Sequence, residues 1–143
     1  MSTEDNKAVI RRLIDGLNQK DVAVLDEVCT PDFVFHDPNN PQVRSREDFK
    51  QWVTEFFAAF PDLHFSLEDI LAEGDRVAYR YTLRATNTGS WGGATPTGKP
   101  VTFTAMSLSR FREGKSAEGW QNGDSLGMAQ QLGMIPAPGQ ASQ

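Results

Sequence analysis

The chain has a single cysteine, Cys29, so no disulfide can form within it, and a zinc site built on paired cysteines is excluded. Histidine is nearly as scarce, with only His36 and His64 present. A metal centre needs three convergent ligands, and two histidines among scattered carboxylates lack that spacing, so no metal is expected. No run of Lys and Arg is longer than two residues, and the net charge is -5. That sign does not attract phosphate backbones or anionic lipid, which argues against nucleic acid and membrane as partners. No apolar run approaches the roughly 20 residues needed to cross a bilayer. The start, Met1 to Asp5, is polar and acidic and does not read as a signal peptide, so a cytoplasmic location is expected. Two catalytic signatures are also missing. There is no G-x-S-x-G nucleophile elbow. Gly93 to Lys99 matches G-x-x-x-x-G-K in form, but Pro100 follows where Ser or Thr belongs, and the segment lies between strands.

What is present fits one globular domain. The chain has 143 residues, 38% hydrophobic and 23% charged, which suffices for a core without staples. Residues 1–136 read as a single domain, and 137–143, with no apolar side chain beyond alanine, as a flexible tail. Val9, Ile10, Leu13, Ile14 and Leu17 have helical spacing and predict a helix over 4–18, capped by Ser2 or Thr3. A second short helix is expected from an Asp21 cap to Cys29, stopped by Pro31. Phe33 to His36 reads as a strand. Ser45 and Asp48 resemble a capping box opening a third helix, whose aromatic stripe runs from Phe49 to Phe60. The period then changes. Strands are expected over 63–72 and 77–88 around Gly74-Asp75, and over 101–112 and 115–122 around Glu113-Gly114, before a last turn at 126–132. Helices first and strands later favour an α+β fold. A strongly curved antiparallel sheet would pack against about three N-terminal helices and enclose a pocket.

A two-residue turn at Glu113-Gly114 would place Arg112 opposite Lys115 and set the register outward from there. Ser107 would then face Trp120, Ala105 would face Asn122, and Phe103 would face Asp124. Alternation puts all six side chains on one wall. Val77, Tyr79, Tyr81 and Leu83 share a face in the other hairpin. Candidate pocket walls are therefore Trp120, Asn122, Phe103, Ser107, Tyr79, Trp52, Phe56, His64 and Trp91. Asp124 is the first candidate for a general acid/base, because aromatic walls disfavour a charged carboxylate. The alternative is that Asp124 caps the turn starting at Ser125. His36, beside Asp37 at a strand end, is a second catalytic candidate, with a structural role as the alternative.

The segments F-P-D-L-H-F (60–65), E-D-I-L-A-E-G-D-R-V-A-Y-R (68–80), P-T-G-K-P-V (96–101), R-F-R-E-G-K (110–115) and W-Q-N-G-D-S-L-G-M-A-Q-Q-L-G (120–133) carry a resemblance. The chain resembles the SnoaL-like polyketide cyclases and ester-cyclase-like proteins, within the nuclear-transport-factor-2-like fold, from about Asn6 to Ile135. The resemblance implies a cone-shaped α+β barrel, a homodimer formed through the outer sheet face, and no metal or organic cofactor. It also implies intramolecular aldol chemistry on a hydrophobic carbonyl small molecule, with Asp124 at the matching acid/base position. Many relatives carry E-H-W where this chain has Glu118-Gly119-Trp120. That departure leaves room for a hydrolase, isomerase or hydroxylase, or for a domain that binds without turnover. A scaffold working through the outer sheet is the remaining alternative.

Overall fold

The computed structural model describes residues 2–93, 95–136 and 139; the tail expected at 137–143 lies, apart from Gly139, outside the described residues. Helix α1 (Thr3–Asn18) opens on a capping box in which Ser2 and Asp5 each accept from the other's backbone N–H at 3.0 Å. Its buried face is Ile10, Leu13, Ile14 and Leu17. Helix α2 (Val24–Val28) is shorter than its spacing suggested. Asp21 accepts from Ala23 N two residues along, so it closes a turn ahead of the helix and does not cap it. Cys29 is already extended, and strand β1 (Cys29–His36) begins there with Pro31 inside it. A proline without an N–H is tolerated because β1 is an edge strand.

Helix α3 (Arg46–Ala59) has the expected box, with Ser45 Oγ accepting from Asp48 N. Strands β2 (His64–Glu73), β3 (Arg76–Thr86), β4 (Pro100–Arg112) and β5 (Lys115–Gly123) follow, then helix α4 (Ser125–Gln131). The five strands form one curved sheet in the order β1-β5-β4-β3-β2, antiparallel except for the parallel pair of β1 and β5. Helix α1 packs on β2 and β3, α3 on β1, and α4 on β4. One apolar core lies under α3 and α4, around Phe56, Phe60, Tyr81 and Leu83; a second lies between α1, α2 and β1. Among the described residues, no helix is long and apolar enough to cross a membrane.

The turn at Glu113-Gly114 has two residues, both with positive φ (51° and 81°), and Arg112 pairs with Lys115. The expected register ends one step later. Phe111 pairs with Ser116, but Arg110 pairs with Glu118, so Ala117 is an extra residue in β5. Such a bulge reverses every side chain beyond it, because strand alternation has period two. Ser107 therefore faces Gln121, Leu108 faces Trp120, and Ala105 faces Gly123. Phe103, Ala105 and Ser107 do face inward as the alternation requires. Trp120 and Asn122 do not; they project from the outer face, and Gly119, Gln121 and Gly123 take the inner one.

Candidate active site

Between the concave sheet face, α3 and α4 lies a chamber of about 340 Å³. Its walls are mostly apolar: Trp52, Phe56 and Phe57 from α3, Phe65, Leu83 and Phe103 from the sheet, Met128 and Leu132 from the α4 end. Trp91, on the loop between β3 and β4, sits edge-on to Phe56 with ring centres 4.8 Å apart. Gly89 N holds that loop to α3 through Ala59 O at 2.9 Å. The α4 end is clipped to β4 by one side chain. Gln131 Oε1 accepts from Thr102 N and its Nε2 donates to Thr102 O, both at 2.7 Å.

The chamber's polar end centres on Gln121, which is 7% exposed. Its Oε1 accepts from the Tyr81 hydroxyl at 2.8 Å and from Ser107 at 3.4 Å. Its Nε2 donates to Asp37 Oδ2 at 3.3 Å. A carboxylate can only accept and the two hydroxyls can donate, so the amide is held in one orientation. Asp37 is the one buried carboxylate among the described residues. Its Oδ2 also accepts from Asn40 Nδ2 at 3.1 Å and its Oδ1 from Asn39 N at 2.9 Å. Asn39, Asn40 and Gln121 all line the chamber, so Asp37 stands directly behind its polar wall.

Burial dominates the titrations here. It pushes the Tyr79 phenol from 10.0 up to about 12, against a hydrogen bond with Ser107, and it also raises Tyr81. Both stay neutral hydroxyls at neutral pH. Burial likewise pushes the Cys29 thiol up to about 12, which leaves no thiolate to act as a nucleophile. Among the described residues, no three His, Cys, Asp or Glu side chains converge as a metal site would require.

The sequence candidates divide. Trp52, Phe56, Trp91 and Phe103 line the chamber. Ser107 and Tyr79 face inward but line a smaller space of about 40 Å³ behind Gln121. Asp124 is placed elsewhere: it is exposed, and its Oδ1 accepts from Gly127 N at 2.9 Å as the N-cap of α4. His64 is exposed at the start of β2. His36 lies on the outer face, stacked on Trp120 (centres 5.3 Å apart, planes at 21°), with Nε2 2.7 Å from Glu118. Arg76 covers the Trp120 ring at 5.7 Å, and Glu118 also accepts from Arg110. The bond from His36, then that from Arg110, hold the Glu118 carboxyl below its ordinary value. Asn122 is exposed on the same outer side.

The absent histidine at Gly119 has a steric counterpart. Gly119 faces inward, and a Cβ there would lie 3.2 Å from Phe33 Cζ, so the Phe33 ring fills the space of a larger side chain. Among the residues missed from the sequence, Gln121, Asp37, Asn39 and Asn40 make up the polar end. Gln121 was hidden by the bulge. For Asp37 the available signal was the D-P-N-N loop after a strand, a pattern that turns a carboxylate back on its own backbone.

A family model described as SnoaL-like polyketide cyclase matches residues 7–132. Among solved structures, AclR from Streptomyces galilaeus, a proposed hydroxylase, is 31% identical, with 95% of this chain and 85% of that one covered at a TM-score of 0.87. IdmH from Streptomyces antibioticus, a proposed polyketide cyclase, is 32% identical over 90% of this chain and 98% of its own, with a TM-score of 0.80. An NTF2-like protein of unknown function from Burkholderia pseudomallei shares the fold at 14% identity, 92% and 98% coverage and a TM-score of 0.75. No match was found among curated proteins. With its sheet order and a family match over nearly its whole length, this chain belongs to the SnoaL-like polyketide cyclase family.

Proposed function

We propose that the chain is a cofactor-independent enzyme performing cyclase-type acid/base chemistry on a hydrophobic small molecule with a carbonyl group. The observation that carries this reading is the Tyr81–Gln121–Asp37 chain at the polar end of an apolar chamber. The Gln121 Nε2 has a second hydrogen with no bond among the described residues, so it can donate to a carbonyl oxygen as charge develops there. Asp37 takes the acid/base role that the family resemblance assigns to Asp124. With Gln121 held in place, a swing of the Asn40 amide exposes Oδ2 to the ligand. Asp37 then removes a proton alpha to the carbonyl, and the enolate carbon attacks a second carbonyl of the same molecule. The new alkoxide takes the proton back from Asp37, so one C–C bond forms and nothing is lost.

A second reading, a binding domain without turnover, has its own support. Tyr81 is the only titratable side chain that lines the chamber itself among the described residues, and it stays protonated. The Asp37→Asn variant separates the two. With flat aromatic keto-esters as substrates, the enzyme reading expects turnover to fall by about 100-fold or more, within the usual contribution of general acid–base catalysis. Ligand affinity should stay within about threefold. Asp124→Asn, at an exposed cap, should leave turnover nearly unchanged. Unaltered turnover in Asp37→Asn removes Asp37 as the base, and tight binding with no turnover in the parent favours the second reading.

We also propose a homodimer through the outer sheet face, where Val34, Leu71 and Met106 are exposed. Sedimentation of the parent and of a Met106→Glu variant tests it: a parent that sediments as a monomer overturns it.

A further inference from the structure

The chamber is not the whole of the recess. An open groove of about 710 Å³ runs beside it, and the two share Asn40, Trp52, Trp91 and Gly92 as a common wall. The indoles of Trp52 and Trp91 stand 6.1 Å apart at 71°, forming an aromatic partition between the two spaces. The chemistry changes across it. The chamber side is lined by Phe, Leu and Met with amides at one end. The groove adds Gln42, Glu55, Ala58 and Ser90, so past the indoles a ligand meets a carboxylate, primary amides and a hydroxyl. Glu55 is the one charged residue that lines the groove among the described residues. It lies one turn along α3 from Trp52, which places its carboxylate on the same side as that ring.

Size points the same way. A chamber of about 340 Å³ is near the lower end of small-molecule sites, which span roughly 300–1,000 Å³. A larger ligand has to leave it, and the shared wall is where the second space begins. Resting on the carbonyl-binding role proposed for the chamber, we infer that the ligand has two parts. A flat apolar body carries the carbonyl inside, and a hydrogen-bond-donating arm, hydroxylated or aminated, lies in the groove. Indole faces accept the C–H or cationic side of such an arm. The Glu55 carboxylate and the Gln42 and Asn40 amides meet its O–H or N–H groups. The lone carboxylate makes an anionic arm unfavourable.

The test compares three ligands by calorimetry: fluorenone, fluorenone with an aminoethyl arm, and fluorenone with a dihydroxypropyl arm. The readout is the affinity ratio of armed to unarmed ketone, taken separately for the parent, Glu55→Gln and Gln42→Ala. In the parent, each arm is expected to improve Kd by about tenfold, the effect of one well-placed charged or paired hydrogen bond. Glu55→Gln should remove most of the gain of the ammonium arm, and Gln42→Ala part of that of the diol. A gain from the amine alone assigns the groove to cationic arms, and a gain from the diol alone to hydroxylated ones. If the bare ketone binds and neither arm adds affinity, or the gains survive both substitutions, the groove is no subsite while the chamber reading stands. If no ligand binds, both readings fall.

Discussion

The two faces of β5 hold their polar groups in opposite ways. On the inner face Gln121 is buried, and four groups around it, Tyr81, Ser107, Asp37 and through it Asn40, are tied into one network. On the outer face Glu118 joins His36 and Arg110, but the His36 side chain is 44% exposed and that of Arg110 32%. Water can replace the outer bonds and cannot readily replace the inner ones. The inner network therefore fixes geometry, as a site requires, whereas the outer cluster is adaptable surface of modest energetic value.

The largest test of this contrast is a one-residue shift of the register that separates the faces. Inserting one alanine between Ala117 and Glu118 should place Glu118, Trp120 and Asn122 inside and Gln121 outside, or force the strand to break. A loss on the order of 4 kcal/mol or more is expected in urea unfolding, the range reserved for buried charge and broken networks. An insertion variant of parental stability would show that this register does not set the faces. Next comes Gln121→Leu. It leaves the Tyr81 hydroxyl without its acceptor and Asp37 without one of its three donors, at a cost of about 2–3 kcal/mol. The outer counterpart, Glu118→Gln, should cost less than about 1 kcal/mol. Equal losses for the two would erase the contrast.

The smallest effects are those of pH, and they lie at opposite ends of the scale. Tyr79 keeps its proton up to about pH 12 in the folded chain, whereas an exposed phenol loses it near 10.0. Between these values the native state holds more protons, so stability falls as pH rises through that window, and Tyr79→Phe should flatten the fall. Glu118 has the opposite sign. Its folded value lies below 4.5, so its contribution is present above that pH and is lost on acidification. Glu118→Gln should make the acid limb of a pH–stability profile shallower. Profiles unchanged by either substitution would sever these limbs from the two faces.

Much of the fold could be read directly from residue order. Ser2 with Asp5 and Ser45 with Asp48 cap helices where expected, because a capping box involves groups three residues apart. The inward faces of β3 and β4 follow from alternation counted within each strand. The site was less legible. The wall residues Trp52, Phe56, Trp91 and Phe103 were within reach, since large aromatics seek the interior. The polar end was not: one extra residue at Ala117 exchanged Asn122 for Gln121 and sent Trp120 outside. Asp124 met the other reading weighed for it, the cap of the closing helix.

By itself, then, the order of residues determined the helices, the turns and the alternation of most strands, because those depend on contacts a few positions apart. It also determined the family, through segments spread along nearly the whole chain. The tertiary structure alone decided which side of β5 faces the chamber and which carboxylate stands behind it. Asp37 and Gln121 are 84 residues apart, and no local spacing records that β1 lies parallel to β5 and brings them within hydrogen-bonding distance.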